Sequence, residues 1–423
     1  AYATLTDEDQ KRAHHLALEW LWDGDRAEPL VLAEHAERAG EHSIASEMLL
    51  RAAQDALSAN DFEAAIARAR RGLSHGARGH LRAALLVVQG QAHAFRNEWA
   101  AVADNESALD LAAKGSATWC TAAAGLLWSR LELGEPERIL PILVALQSTE
   151  PEPDARSVFV STLAIVIPLL GWLGQHGVAA MFLERLESIE LSPDDLVALG
   201  WVHLARANLA GLAHNDTYRS IVELRAAVDL ATRGGDRATL RPLALGALGE
   251  AMRTIGRPDE SERMQRDVLT ETARSGLEFI AGFSRSYLSR ALLARGQLAQ
   301  AAASAQAIVA SCGPRDRWRE GSARGVLALA AAARGDLAHA EEEVSRALEL
   351  LESVPTMFGP MCAERADIRL GRGDLDGAMN DANRAWETLQ SLGGVGGGDA
   401  RVRLVFARVL HARGDLAQAR TVI

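Results

Sequence analysis

Along this chain, stretches in which apolar residues recur every three or four positions alternate with short polar breaks that return at a nearly constant interval. Each break carries one phrase: a Gly or Asn, a polar residue, a hydrophobe or Pro, two variable residues and a small residue. The clearest copies are Gly296-Gln297-Leu298-Ala299-Gln300-Ala301, Gly335-Asp336-Leu337-Ala338-His339-Ala340, Gly373-Asp374-Leu375-Asp376-Gly377-Ala378 and Gly414-Asp415-Leu416-Ala417-Gln418-Ala419. Weaker copies begin at Asn60, Asn97, Gly134, Gly174, Asn215 and Gly256, so successive starts lie 37 to 41 residues apart. Self-similarity sustained at that period marks a stacked array of supersecondary units.

The pattern predicts an antiparallel helical hairpin around each phrase. Gly325 to Arg334 precedes the turn at Gly335 and Leu337 to Leu351 follows it, both rich in Ala, Leu, Glu and Arg, which lose little side-chain freedom in a helix. The Gly takes the left-handed conformation that stops the first helix, and the neighbouring Asp or Asn accepts hydrogen bonds from the free N–H groups of the second. Small residues recur seven positions before the turn (Gly90, Gly249, Ser289, Ala328, Ala366, Ala407) and five after it (Ala65, Ala179, Ala301, Ala340, Ala378, Ala419), where the two helices should come closest. One hairpin cannot bury its own apolar stripe, so stability must come from hairpins stacking side by side. The expected fold is all-α, a right-handed superhelical solenoid of about ten helix-turn-helix repeats. Residues 1–58 are expected as an N-terminal helical cap or linker and 59–423 as the array.

Composition narrows this reading. A chain of 423 residues would ordinarily hold two or three globular domains, but a one-dimensional array runs this long as a single body. The 48% hydrophobic fraction comes mostly from Ala and Leu, with no valine-rich alternating segment and no Asn-Gly or Asp-Gly turn between strands. Cys120, Cys312 and Cys362 are scattered and odd in number, which points to buried structural thiols in a reducing, cytoplasmic setting. The net charge of −11 and the isoelectric point near 5.6 argue against a general grip on nucleic acid or an anionic membrane. Arg315, Arg317, Arg319 and Arg324 around Trp318 form a local basic strip with two readings, a holder for a phosphate or acidic peptide, or charges at the solvated start of a helix.

The longest stretch without Asp, Glu, Lys or Arg, Ser157 to Leu183, is long enough to cross a membrane. Pro168, Gly171, Gly174, Gln175 and His176 interrupt it where the repeat phase requires a turn, so a more buried central hairpin or a partner-facing patch is expected instead. Asp7, Glu8 and Asp9 precede any apolar run, unlike a signal peptide. Beginning at Ala1 and ending shortly after the last phrase, the chain reads as an excised piece of something longer.

Catalytic patterns are missing: no Gly-x-x-x-x-Gly-Lys-Ser/Thr loop, Gly-x-Ser-x-Gly elbow, His-Glu-x-x-His helix or calcium loop occurs. The glycines from Gly393 to Gly398 follow no strand and lack phosphate-loop spacing, and are expected as a flexible inter-repeat loop. His14 with His15, His35 with His42, and His75 with His80 lack the cysteine or carboxylate spacing of a zinc site. Glu341-Glu342-Glu343 and Asp194-Asp195 suit the first turns of helices. No catalytic residue, cofactor or metal is therefore expected.

In a curved stack of hairpins, the first helix of each pair lines the inner surface. Positions six and three before each turn then give Gln91, Trp128, Glu250, Arg253, Arg290, Asp367, Arg408 and His411 as a mixed polar groove for a protein or peptide partner. Trp128 has a second reading as an inter-repeat core residue, and the charged members a second reading as a solvated face. The apolar region Val158 to Leu173 is the expected meeting surface if two copies associate.

The phrase and its small residues resemble the tetratricopeptide repeat, each unit stretched beyond the common 34-residue length. A second resemblance covers roughly Ala13 to Trp119. His15-Leu16-Ala17-Leu18-Glu19-Trp20-Leu21, Leu32-Ala33-Glu34-His35-Ala36-Glu37-Arg38-Ala39-Gly40, Arg51-Ala52-Ala53, Asn60-Asp61-Phe62 and Gly115-Ser116-Ala117-Thr118-Trp119 are similar to the region after the ATPase module of large bacterial signalling proteins. That resemblance implies a sensing or interaction array that biases an attached signal-transduction ATPase or serine/threonine kinase. The competing expectations are a structural scaffold or oligomerisation arm and, from a third class, a helical toroid acting on a small substrate.

Overall fold

The computed structural model describes residues 6–22, 27–133, 135–236, 238–313 and 316–422. Among them are 22 α-helices and no strand, and they pair around the phrase as the pattern predicts. Arg317–Ala333 turns at Gly335 into Leu337–Leu351, and Pro355–Gly371 turns at Gly373 into Leu375–Leu392. Nine of the ten phrase starts are left-handed. Asn60, Asn97 and Asn215, at φ 60, 59 and 52°, are the three non-glycine residues with positive φ among the described residues. Gly174, Gly256, Gly296, Gly335, Gly373 and Gly414 lie between 72 and 90°. The tenth, Gly134, lies outside the described residues.

The hydrogen bonds explain why this conformation recurs. At Gly335 the amide donates to the Ala332 carbonyl at 2.9 Å and the Asp336 amide to Ala331 at 3.1 Å, which satisfies two carbonyls that the helix end leaves open. The same pair of hydrogen bonds closes the turns at Asn60 and Asn97. Asp336 then caps the next helix, its carboxylate accepting from the His339 amide at 3.2 Å, as Asp61, Asp216 and Asp374 do in theirs. The small positions after the turn are enclosed: Ala65, Ala179, Ala301, Ala340 and Ala378 are fully buried. Before it, a Cβ on Gly90 would lie 2.8 Å from Asn105 Oδ1, and one on Gly249 would lie 2.4 Å from Gln265 Nε2. Stacking between hairpins shows in one cluster, where Ala328, Ala331, Ala340 and Val344 of one repeat meet Ile368 of the next. Because the phrase marks the middle of a hairpin, the one turning at Asn60 opens with His42–Ser58, inside the segment expected as cap or linker.

The chain divides into two compact units. The first comprises Ala1–Ser129, Thr149–Ala155 and Gly276–Phe279; the second comprises Arg130–Ser148, Arg156–Ser275 and Ile280–Ile423. Within the second, stacking is not confined to neighbours. Arg156–Trp172 packs against its hairpin partner His176–Glu187, against Leu196–Leu212 in the next repeat, and against Pro355–Gly371 five repeats on. The Thr356 hydroxyl donates to the Trp172 carbonyl at 2.7 Å, and His176 Nε2 lies 3.3 Å from the Gly394 carbonyl oxygen. A small rotation per repeat, summed over five repeats, brings the array of this unit back onto itself, which an arrangement of neighbour-only contacts does not include.

That closure explains the uncharged stretch. Arg156–Trp172 has protein on several sides, and Phe159, Val160, Leu163, Val166, Ile167 and Leu169 are at most 1% exposed. Pro153–Trp172 is the helical stretch among the described residues long and apolar enough to cross a membrane, yet 61% of its apolar window is buried within the protein. Val158 to Leu173, expected as a meeting surface for a second copy, is largely covered by its own chain instead. The Gly393 to Gly398 segment is packed too: Gly396 is buried at φ 58°, where a Cβ would lie 3.3 Å from the Gly211 carbonyl oxygen.

Candidate ligand-binding site

The eight residues expected to share one groove separate into three places. Glu250, Arg253 and Arg290 come together in the second unit. Asp367 and Arg408 join near its C-terminal end, with His411 beside them. Gln91 and Trp128 belong to the first unit.

The first group is the most enclosed. Glu250 and Arg253 sit one turn apart on Leu240–Thr254, and Arg290 comes from the equivalent position of the next first helix, Glu278–Ala294. Arg253 grips Glu250 with two bonds, Nε to Oε2 at 3.0 Å and Nη2 to Oε1 at 2.8 Å. Arg290 Nη2 reaches the same Oε1 at 2.9 Å. Burial pushes the Glu250 carboxyl upward, but the charges of Arg290 and Arg253 outweigh it and hold the carboxyl below its ordinary value. For Arg290 desolvation is the largest influence and lowers its pKa, assisted by Arg253. Tyr287, one turn before Arg290, has its phenol pushed up to about 12, first by burial and then by the charge of Glu250. The Tyr287 phenol is therefore a neutral hydrogen-bond donor.

An aromatic wall adjoins this cluster. Phe283 stacks on Trp318 with ring centroids 5.0 Å apart, Trp172 lies 5.9 Å from Trp318 and 6.1 Å from Phe283, and Tyr287 lies 6.5 Å from Phe283. Trp172, Phe283 and Trp318 are carried by the first helices of three repeats, the first of them three repeats before the second. First helices that touch across this separation line the inside of the unit's coil.

At the C-terminal end, Asp367 forms an ion pair with Arg408 at 2.6 Å and accepts a hydrogen bond from Arg401 at 2.9 Å, and Arg401 also grips Glu364. His411 and Arg408 border a shallow groove of about 620 Å³ floored by Leu370, Leu404, Ala407 and Leu416. In the first unit, Trp128 is half-buried and meets Phe279 edge-on at 5.2 Å, while Gln91 is half-buried on Gly79–Phe95.

Among the described residues, the basic strip around Trp318 does not form a cationic surface. Arg319 pairs with Asp316 at 2.5 Å, Arg324 with Glu320 and Glu343 at 2.8 Å each, and Arg317 donates to the Glu349 carbonyl at 2.7 Å. Arg315 lies outside the described residues. The histidines regroup across helices, His14 with His35 at 3.0 Å and His42 with His75 at 3.1 Å. Among the described residues, no group of three or more His, Cys, Asp or Glu is arranged to hold a metal ion.

Sequence reasoning overlooked Tyr287 and the aromatic wall. Tyr287 lies nine positions before Gly296, so carrying the inward stripe one turn further up the helix would have found it. Trp172 and Phe283 meet only through the coiling of the unit, and the local pattern holds no signal for that.

No protein-family model matches the chain, and no curated protein matches it. Solved structures do. A Rap protein complexed with competence and sporulation factor is similar at a TM-score of 0.50 and 14% identity, over 72% of this chain and 90% of that one. NprR in complex with its cognate peptide NprX is similar at 0.53 and 10% identity, over 71% of this chain and 86% of that one. The fold is a tetratricopeptide-repeat-like helical array.

Proposed function

We propose that this chain is a non-catalytic interaction module that binds a peptide segment along the inner first helices of its second unit. The observation that carries the reading is the meeting of Glu250, Arg253 and Arg290 beside Tyr287 and the Trp172–Phe283–Trp318 wall. An extended peptide needs apolar surface for side chains and fixed polar groups for register, and these elements adjoin here. Arg and aromatic residues are also the types that dominate binding energy at protein interfaces. Two structures of similar fold, the Rap and NprR complexes, were solved with a factor and with a cognate peptide bound, which supports peptide recognition by this fold.

In this reading the chain serves a larger signalling protein, and the ligand acts by favouring one curvature of the coil, which biases an attached ATPase or kinase. Only a ligand with different affinities for the two curvatures can shift that balance. The test is selection of displayed random peptides on the full chain, followed by titration of the selected peptides against the charge reversal Arg290→Glu and against Arg408→Glu. Binding lost in the first variant and kept in the second supports the site. Affinity unchanged in both removes it.

A further inference from the structure

The charges of the inner cluster do not cancel. Among the described residues, Arg253 and Arg290 share one carboxylate, that of Glu250, and the four groups influence one another without a second acid among them. Both Glu250 oxygens are already engaged, Oε1 twice and Oε2 once. Arg290 is therefore tied to Glu250 by one ion-pair contact while its side chain stays 37% exposed, leaving guanidinium donors available to a ligand. The side chains of Glu250 and Arg253 are only 19% and 23% exposed. The surplus positive charge thus stands at the exposed member of the cluster, Arg290, where an incoming anion can pair with it.

We propose that Arg290, with Arg253 behind it and the Tyr287 hydroxyl beside it, receives a carboxylate of the bound peptide, while the half-buried Trp172 and Trp318, backed by the buried Phe283, take an adjacent apolar side chain. This rests on the peptide-binding reading above and specifies which peptides qualify. A planar carboxylate matches the guanidinium fork with two parallel bonds, and such bonds are among the strongest in a partly desolvated site. Glu250 restrains Arg253 and sets the surplus at one positive charge, so the site suits a monoanion. Two sources supply the same chemistry, the α-carboxylate at a peptide's end and an Asp or Glu side chain within it.

Three pools of acetylated heptapeptides separate these sources, each with Leu, Phe or Trp at the last position and neutral residues elsewhere. The first has a free C-terminal carboxylate, the second a C-terminal amide, and the third an amide with Glu at the sixth position. Retention by the full chain is read by ultrafiltration and mass spectrometry. The expected result is retention of the first or third pool, or both, about tenfold or more above the second, and which pool is retained identifies the source. Arg290→Gln should bring retention down to the level of the neutral pool, while Glu250→Gln, which raises the surplus to two charges, should increase it. These opposite directions separate recognition from damage to the fold, which would lower both, and circular dichroism of each variant checks the fold directly. Equal retention of all three pools, or acidic pools held equally by wild type and Arg290→Gln, overturns the carboxylate assignment and leaves peptide binding standing. If no pool is retained, peptide binding itself fails and the assignment falls with it.

Discussion

At Asn60, Asn97 and Asn215 the backbone holds a conformation that costs most L-residues about 1 to 2 kcal/mol. Asn tolerates it better than other side chains and Gly is indifferent to it, which is why those two residues alternate at the phrase start. Asn60→Gly should therefore leave the urea midpoint nearly unchanged, while Asn60→Ala should lose about 1 kcal/mol; equal midpoints for the two would contradict the turn assignment. The cysteines are legible in the same terms. Burial pushes Cys120 up to about 12, and Cys312 and Cys362 up to about 11, so at pH 8 each has about a hundredth or less of the thiolate of an ordinary thiol. Cys120 and Cys362 are buried and Cys312 half-buried, so iodoacetamide should label Cys120 and Cys362 in the native protein about 100-fold more slowly than in the urea-unfolded chain, and comparable rates would refute their enclosure. Glu250 gives the pH dependence. Its folded-state pKa lies below the ordinary 4.5, so it contributes stability at neutral pH that is lost as pH falls through the folded value. Thermal midpoints of wild type and Glu250→Gln should differ at pH 7 and converge toward pH 3; a gap that widens on acidification would show the sign to be wrong.

The hairpin is the level at which the sequence speaks most plainly, because its determinants are local. A left-handed residue, small residues and, at Asp61, Asp216, Asp336 and Asp374, a capping carboxylate all lie within about a dozen positions of the turn they serve. Removing the cap by Asp374→Ala should cost about 1 kcal/mol. Filling the closest approach of the helices by Ala340→Trp should cost about 1 to 3 kcal/mol or displace the pair, since Ala340 is fully buried between two repeats. A tryptophan variant as stable as wild type in a denaturant titration would argue against the hairpin register. One turn escaped the periodic search. Gly40-Glu41-His42-Ser43-Ile44-Ala45 has a related form, with His42 where the phrase has a hydrophobe or Pro, Gly40 at φ 82° and Ala45 fully buried, but it stands only 20 residues before Asn60 and is out of phase with the other copies. A fixed interval finds hairpins; it does not find the additional helix packed against the first of them.

Beyond the hairpin, less could be read from the sequence, and the reason is distance along the chain. Glu250, Arg253 and Arg290 were reachable because neighbouring repeats place equivalent positions side by side. The contact between Trp172 and Phe283, or between Thr356 and the Trp172 carbonyl, depends on rotations accumulated over several repeats, and no single turn encodes that sum. Trp172 is therefore the residue on which the closed form of the second unit is most exposed to test. Trp172→Ala should lower the thermal midpoint by on the order of 5 to 10 °C, although its own hairpin stays intact; a wild-type midpoint would mean that the closure contributes little. The same closure defines an inside, and the functional account depends on that inside being the working surface. The most direct measurement is hydrogen exchange of the full chain with and without a peptide retained in the pool experiment. Slowed exchange confined to Leu240–Thr254, Glu278–Ala294 and the end of Arg156–Trp172, with the second helix Pro258–Ser275 unchanged, is the predicted result. Identical exchange in the two samples, or protection confined to second helices, would contradict it.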